Sequence, residues 1–220
     1  PFAGVNGSGK HDNWSLATDT GENLLKPGST PSQNAQFLLF LAAFIKGVDE
    51  YQEMLRCCVS YPGNDHRLGG NEAPPAIISI FLGDELTAIL DAIIQGTEYV
   101  DITKKKLTIG VDTLPEIPQD TTDRNRTSPL AFTGNKFEFR MLGSSQSIAS
   151  PNVVLNTIMT EELRQFGDIL EKADDFQSAL QTLLHDTFTA HQRIIFNGNG
   201  YDDAWVQEAK RRGLANLRDT

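Results

Sequence analysis

A glycine-rich segment at the start of the sequence contains the first residues that could do chemistry. Gly4 to Lys10 fits the spacing G-x-x-x-x-G-K of a phosphate-binding loop. That loop needs a serine or threonine after the lysine to place a hydroxyl on magnesium, whereas this sequence has His11 there. An imidazole suits a divalent cation or a phosphate oxygen, although a lone histidine is more often structural. The glycines would let the backbone approach an anionic ligand closely.

A second polar cluster runs from Asn64 to Pro74 and contains Arg67 and Glu72. The planar guanidinium of Arg67 could hold a carboxylate through two hydrogen bonds, which a lysine could not reproduce. Glu72 lies next to glycines and could close over a bound substrate, exclude water and take a proton. Taken alone, the two residues would more often form an ion pair in a surface loop.

A third cluster comprises Asp123–Ser128, which contains Arg126, and the segment Lys136–Leu142. The second segment alternates strictly, so the sequence predicts a strand with Glu138 and Arg140 on one face. The three apolar positions Phe137, Phe139 and Met141 would form the other face. In an ordinary sheet, such charged residues form cross-strand ion pairs on a solvent-exposed face.

The elements that would position these clusters give an α+β pattern, with strands early in the chain and helices late. Thr30 as N-cap, Pro31 at the first helical position and Gln33 closing a capping box predict a long helix to about Cys58. Residues 60–75 are predicted as a loop. Periodicity and capping residues predict further strands at 76–82 and 107–111, and helices at 84–94, 150–173, 176–194 and 202–212, the last one stopping at Gly213.

Composition excludes some classes of function. The chain has 220 residues, 39% hydrophobic residues and a net charge of −10, which is typical of a soluble globular protein. An acidic chain has no global attraction for nucleic acid or an anionic membrane, and the longest apolar stretch, 37–45, is too short to span a bilayer. The adjacent Cys57 and Cys58 are expected to be thiols in a reducing compartment.

The three clusters together resemble the glutamine synthetases. The segment from Pro1 to Ser15 matches the ATP-binding signature of that family: Lys-Pro, a few residues, Asn-Gly-Ser-Gly, one residue, His, three residues and Ser. Only the leading lysine has no counterpart in this sequence. The string FAGVNGSGKHDNWSL is similar to the type III branch. The second cluster resembles the family's Asn…Arg-Leu…Glu-Ala-Pro segment, and the third resembles its Asn-Arg-Ser segment with a Glu-x-Arg strand.

The resemblance implies a set of ligand contacts around the first cluster. His11 and Glu138 would ligate the second of two Mg²⁺ or Mn²⁺ ions, the one that bridges the phosphates of ATP. Asn6 and Gly7 would lie beside the glutamate substrate, and Ser15 would lie beside the nucleotide. Most of the family's carboxylate metal ligands come from sequence before the ATP-binding signature.

The resemblance also implies roles for the other two clusters. Arg67 would bind the α-carboxylate of glutamate, and Glu72 would lie on a mobile flap and take a proton from ammonium. Arg126 would stabilise charge on the γ-phosphoryl group as it transfers. Lys136 would contact the phosphates of ATP, and Arg140 would hold a substrate carboxylate or phosphate. The implied catalytic residues are therefore Arg67, Glu72 and Arg126.

The family resemblance carries expectations for fold and assembly. It implies part of a catalytic domain with a curved antiparallel sheet and flanking helices in residues 1–150. A helical C-terminal region of the same domain would occupy residues 151–220. The family is cytoplasmic and forms large double-ring homo-oligomers, so a dodecamer is expected. Binding of nucleic acid or membrane is not expected.

The implied reaction is the ATP-dependent ligation of ammonia to glutamate through γ-glutamyl phosphate. Because much of the family's site lies upstream of the signature, the 220 residues alone are expected to be inactive. Two alternatives remain at this stage: a related ligase that joins glutamate to another amine, and a non-catalytic relative with a structural role.

Overall fold

The computed structural model describes residues 8–70, 73–99 and 127–218. It has a four-stranded sheet flanked by helices, which confirms the α+β class. The strands are β1 (Gly9–Trp14), β2 (Ile80–Phe81), β3 (Leu130–Phe132) and β4 (Phe137–Gly143), in the spatial order β1-β4-β3-β2. β4 pairs antiparallel with both β1 and β3. The edge strand β2 runs parallel to β3, so the sheet is mixed and not wholly antiparallel as the resemblance implied.

Seven α-helices cover most of the remaining described residues. They are α1 (Ala35–Glu50), α2 (Gln52–Cys57), α3 (Pro62–Arg67), α4 (Asp84–Gln95), α5 (Ala149–Leu170), α6 (Phe176–His191) and α7 (Asp203–Arg211). Short 3₁₀ turns precede α1 at Pro31–Gln33 and follow α6 at Gln192–Ile194. In the part of the chain that the structure describes, none of these helices combines the length and apolar character that crossing a bilayer requires.

The first long helix differs from its prediction. Pro31–Gln33 forms a 3₁₀ turn, and Thr30 makes no side-chain cap. The cap is Asn34, whose side chain accepts a hydrogen bond of 3.0 Å from the backbone N–H of Phe37. At Tyr51 the backbone leaves the helical region, so α1 and α2 are separate helices. An asparagine at the N-cap satisfies a free backbone N–H as well as the predicted threonine would have done.

The segments around β2 also differ from prediction. The predicted loop 60–75 contains the short helix α3, which begins at Pro62. The predicted strand 76–82 is reduced to the two residues of β2, although Ile77 makes a bridge with Asn216. The predicted strand at 107–111 lies outside the described residues.

The later helices agree with their predictions to within a few residues. Asp202 caps α7 by accepting from the backbone N–H of Ala204 at 2.9 Å. Gly213 follows α7 with a φ of 75°, a left-handed conformation that glycine adopts without strain. The helix predicted at 176–194 is α6 followed by its 3₁₀ turn.

The core lies between one face of the sheet and the helices α1, α5 and α6. Phe44 of α1 stacks on Phe137 of β4 with ring centroids 3.6 Å apart, and it also contacts Trp14 of β1. On the other side of α1, Gly47 faces α5, and a Cβ at this position would overlap Ile158. The absence of a side chain therefore lets α1 and α5 pack closely. This packing covers one face of β1 and β4 and leaves the opposite face for other contacts.

A group of charged residues, which we call the interhelical ion cluster, joins α1 to α5, α6 and the turn after α6. Its members are Lys46, Asp49, Glu162, His191 and Arg193. Asp49 is buried and contacts His191 Nδ1 at 2.8 Å and Arg193 Nε at 2.9 Å. Lys46 forms an ion pair with Glu162, which is fully buried. Burial raises the pKa of the Glu162 carboxyl.

Candidate metal and anion site

The two faces of β1 have different surroundings. Asp12 and Trp14 are buried on the core side, whereas Gly9, His11 and Asn13 alternate with them and are exposed. Side chains of successive strand residues point to opposite faces, so this alternation places His11 on the face away from α1. The polar face that the sequence predicts for the Glu138 strand thus lies next to His11 of the first cluster.

The pairing of β1 with β4 is irregular beside His11. Lys10 pairs with Leu142 and Asp12 pairs with Phe139, so two residues of β4, Arg140 and Met141, lie opposite the single residue His11. Such a bulge increases local twist and redirects side chains, and bulges are common next to active sites. It also explains why Met141 and Leu142 are both fully buried although they are neighbours on one strand.

Three side chains meet at this bulge. His11 Nδ1 lies 3.5 Å from Glu138 Oε2. Both Nε and Nη2 of Arg140 donate to the same Glu138 oxygen at 3.1 Å. The Glu138 side chain is 20% exposed and that of Arg140 only 6%, so the ion pair is partly shielded from water. The group combines an imidazole, a carboxylate and a guanidinium within contact distance.

Arg67 extends this row along β4. It is the last residue of α3, is buried, and donates from Nη1 to the backbone oxygen of Met141 at 3.2 Å. The guanidinium lies over Gly9, where an added Cβ would overlap Nη2. Gly9 is on the same face of β1 as His11. Arg67 therefore lies on the His11 face, and glycine at position 9 provides the room it needs.

Asn64 holds Arg67 in this position. It is fully buried, and its Oδ1 accepts from Arg67 Nη1 at 2.9 Å. Its amide nitrogen donates to the backbone oxygens of Val59 at 2.7 Å and Met141 at 2.9 Å. Because both ends of the amide are bonded, the arginine is held in a defined orientation.

Burial affects the pKa of Arg67. Desolvation lowers the pKa of its guanidinium, while electrostatic interactions with Tyr61 and Tyr201 act in the opposite direction. A guanidinium nevertheless stays protonated in proteins. Arg67 and Arg140 thus place two buried guanidinium groups on the face that carries the partly buried carboxylate of Glu138. Guanidinium groups suit an anionic ligand such as a carboxylate or phosphate.

Ser15 and Lys136 lie together at the other end of the strand pair. Ser15 directly follows β1, and its hydroxyl donates to the backbone oxygen of Asn135 at 2.7 Å. The amide of Asn23 donates to the same hydroxyl at 3.0 Å and fixes its orientation. Ser15 comes four positions after His11, which corresponds to about 13 Å in extended chain. The face is therefore an elongated row and not a single point.

The spacing of the His11–Glu138 pair is close to that of two ligands of one divalent cation. Neighbouring ligand atoms around octahedral Mg²⁺ lie about 3 Å apart, given bond lengths of about 2.0–2.1 Å. The separation of 3.5 Å is close to this spacing. A carboxylate suits Mg²⁺ or Mn²⁺, and an imidazole is a common ligand of metal ions in proteins. Across the described ranges, no three His, Cys, Asp or Glu side chains form a complete metal site. The pair fits two of the ligands of such an ion, and the rest must come from other groups.

The structure brings together four of the predicted site residues and a further pair at the end of the same face. His11, Glu138, Arg140 and Arg67 form one row, and Ser15 and Lys136 extend it. The other predicted residues, Asn6, Gly7, Glu72 and Arg126, lie outside the described residues.

Sequence reasoning missed two residues that position this row, Asn64 and Gly9. Both were part of the motifs but had no assigned contact. The only signal was their spacing: Asn64 lies one helical turn before Arg67, where its side chain faces the same way. No feature of the sequence indicates that Gly9 faces Arg67, because that contact depends on how α3 packs on β1.

Comparison with known proteins identifies relatives of this chain. A family model described as the glutamine synthetase C-terminal domain matches residues 179–220. The whole chain is 56% identical over 223 residues to a type-3 glutamine synthetase of Dictyostelium discoideum, of which it covers 30%. It is 47% identical over 224 residues to a glutamine synthetase of Bacteroides fragilis and 49% identical over 221 residues to one of Butyrivibrio fibrisolvens, covering 31% of each.

The chain belongs to the glutamine synthetase family. Within that family, a protein named as type-3 aligns with all of the chain, in agreement with the branch that the first motif indicated. The chain spans about a third of the length of the curated relatives it matches.

Proposed function

We propose that this chain supplies part of the active site of an enzyme that uses ATP to join ammonia to glutamate. The observation that supports the proposal most is the row of His11, Glu138, Arg140 and Arg67 on one sheet face. Two metal-ligand donors lie 3.5 Å apart beside two buried arginines. The names of the relatives, glutamine synthetases, supply the reaction class.

Glutamate would be held by the buried arginines. Arg67 is fixed by Asn64 and by the backbone of Met141, so its guanidinium would bind the α-carboxylate in a set geometry. Arg140 would bind a second anionic group, a carboxylate or phosphate oxygen. Asn6 and Gly7 would complete the glutamate site, as the family resemblance implies.

Phosphoryl transfer would follow on the same face. His11 and Glu138 would hold an Mg²⁺ or Mn²⁺ ion, which neutralises charge on the phosphates of ATP. Ser15 and Lys136 would bind the nucleotide at the far end of the row. Arg126 would stabilise the charge on the γ-phosphoryl group as the γ-carboxylate of glutamate attacks it.

Ammonia would then displace phosphate from γ-glutamyl phosphate to give glutamine. Glu72 would take a proton from ammonium and shield the acyl phosphate from water. We further propose that residues 1–150 carry these contacts while residues 151–220 form a helical region of the same domain. A homo-oligomer, such as a double-ring dodecamer, would be the functional form.

The test is a turnover assay on the complete natural polypeptide that contains residues 1–220. With ATP, glutamate, ammonia and Mg²⁺ or Mn²⁺, we expect ADP, phosphate and glutamine in equal amounts. Replacing ammonia by methylamine or ethylamine should lower the rate strongly. Faster reaction with an alkylamine would instead identify a different glutamate–amine ligase, and no product with any amine would contradict catalysis.

The chain can also be assayed by itself. Because it covers only 30% of the Dictyostelium relative, we expect residues 1–220 alone to form no glutamine. Clear glutamine formation by the isolated chain would show that these residues contain a complete site.

A further inference from the structure

The segment Asn197-Gly198-Asn199-Gly200-Tyr201, which we call the 197–201 segment, has no role in the site described so far. It lies between the 3₁₀ turn after α6 and helix α7. Two glycines and two asparagines in five residues indicate a loop with close backbone contacts. Its contacts fall into two groups, one at each end.

The first group fixes the segment to the edge of the sheet. Asn197 Oδ1 accepts from the backbone N–H groups of Leu82 at 3.0 Å and Gly83 at 3.2 Å. Its Nδ2 donates to Thr87 Oγ1 at 2.8 Å. Gly83 is the N-cap of α4 and has no side chain to cap the helix, so Asn197 supplies polar contacts at this helix start. This end of the segment therefore serves stability.

The second group reaches the segment that leads into β3. The backbone N–H of Gly200 donates to Thr127 Oγ1 at 2.9 Å. A Cβ on Gly200 would lie 2.9 Å from the backbone oxygen of Thr127 and 3.3 Å from Pro75 Cδ. Gly200 and Thr127 are both buried. Only glycine allows this close approach without movement of one of the two backbones.

The contacted residues lie beside the candidate site. From Thr127 the chain runs to Pro129, whose backbone oxygen accepts from the N–H of Arg140 at 2.8 Å. Thr127 also directly follows Arg126 in the sequence, and Pro75 comes three residues after Glu72. Gly200 thus touches Thr127, two residues before the one that supports the backbone of Arg140.

We infer that Gly200 is a positioning residue, which fixes Thr127 and so, through the backbone of Pro129, sets the geometry from which Arg140 acts. This inference rests on the proposed function. It assigns to the C-terminal region a direct role in arranging the site. Displacement of a catalytic group by about 1 Å can cost about a hundredfold in rate, so a small shift of Thr127 has a large effect.

The main variant is Gly200→Ala in the complete natural polypeptide. We expect kcat for glutamine formation to fall at least about tenfold, with KM for ATP and glutamate changed less than about threefold, because the shift affects transition-state contacts more than ground-state binding. Thr127→Val, which removes the acceptor for the Gly200 N–H, should lower kcat in the same way. The kcat of the double variant should lie no more than about twofold below the kcat of Gly200→Ala, since both changes act on one contact.

Two controls separate positioning from folding. Gly167→Ala adds a Cβ in α5 that meets nothing within 4 Å, and it should leave kcat unchanged. Asn197→Ala breaks the other end of the 197–201 segment and should lower the melting temperature while keeping kcat within about twofold. Hydrogen exchange at the amides of Leu130 and Arg140 gives a readout independent of activity, and it should speed up in Gly200→Ala but not in Gly167→Ala.

The outcomes are distinct. Lower kcat with faster exchange at Leu130 and Arg140 supports the inference. Unchanged kcat in Gly200→Ala, or an equal loss of kcat in Asn197→Ala, overturns it while the proposed function stands. A wild-type polypeptide that makes no glutamine overturns the proposed function and this inference with it.

Discussion

Two regions of the molecule concentrate charged side chains, and they lie in different surroundings. In the interhelical ion cluster, between packed helices, each buried charge has a partner of opposite sign: Asp49 lies between His191 and Arg193, and Lys46 contacts Glu162. On the β1–β4 face, the buried arginines Arg67 and Arg140 lie on the same face as His11 and the partly exposed Glu138.

We propose that the difference separates charges that support the fold from charges that bind ligands. A buried ion costs free energy unless it is paired, so the ion pairs between the helices are needed to keep their charges in the core. On the β1–β4 face, the arginines and the His11–Glu138 pair would bind anionic substrates and a cation. Substitutions in the two regions should therefore have different consequences for stability and catalysis.

The largest effect is expected for Glu138→Gln, which keeps the shape of the side chain and removes its charge. Because Glu138 would bind the cation together with His11, we expect kcat/KM for glutamine formation to fall at least about a hundredfold. The melting temperature should change little. Glu161→Gln, on the exposed surface of α5, is the matched control and should keep full activity. A Glu138→Gln enzyme within threefold of the wild type would remove the carboxylate from the mechanism.

Substitution in the interhelical ion cluster should lower stability and leave ligand binding unchanged. Asp49→Ala leaves His191 and Arg193 without their shared carboxylate, so the free energy of unfolding should drop by about 2–3 kcal/mol. At temperatures where the variant is folded, KM for ATP and glutamate should be unchanged. Denaturant titration and steady-state kinetics measure the two quantities. A large rise in KM without loss of stability would mean that this cluster takes part in ligand binding.

Arg67→Lys should produce a smaller and more selective change. Lysine keeps the charge but cannot form the two-pronged contact with a carboxylate, so KM for glutamate should rise about tenfold, equivalent to about 1.4 kcal/mol. KM for ATP should stay within about twofold. Arg164→Lys, on the surface of α5, serves as the control. An equal rise of both KM values would argue against a specific glutamate contact.

The smallest effect is expected at Asp12, which lies on the core face of β1 beside His11. Burial raises the pKa of the Asp12 carboxyl, and a hydrogen bond from Asn152 partly offsets this. A raised pKa in the folded protein means that the neutral form is favoured, so this group's contribution to stability is present at low pH. It is lost as pH rises above its ordinary value of 3.8 through the folded pKa.

Asp12→Asn removes this titration. The melting temperature of the variant relative to the wild type should therefore increase between pH 4 and pH 7. A difference that is constant over this range would show that the carboxyl titrates normally in the folded protein.

Much of this arrangement could be predicted from local sequence. The alternation around Glu138 and Arg140 gave the strand and its polar face, since side-chain direction in a strand has a period of two. The motif order gave the family and pointed to His11 and Arg67, which the structure places on the same face. Helix ends with a clear cap, such as Asp202 and Gly213, were also correct.

What could not be predicted depends on contacts between distant segments. The bulge opposite His11 follows from pairing of strands more than a hundred residues apart, and the close approach of Gly9 to Arg67 follows from the packing of α3. The capping prediction at Thr30 was wrong because a second N-cap residue, Asn34, follows four residues later and caps α1. The parallel pairing of β2 with β3 likewise has no local signal.

The central claim is that His11 and Glu138 bind the same cation. It is tested most directly by crystals of the complete natural polypeptide grown with Mn²⁺ and a non-hydrolysable ATP analogue, measured at the manganese absorption edge. The account predicts an anomalous peak within bonding distance of the His11 imidazole and the Glu138 carboxylate, which disappears in Glu138→Gln. Manganese bound beside the nucleotide phosphates but remote from both side chains would contradict it.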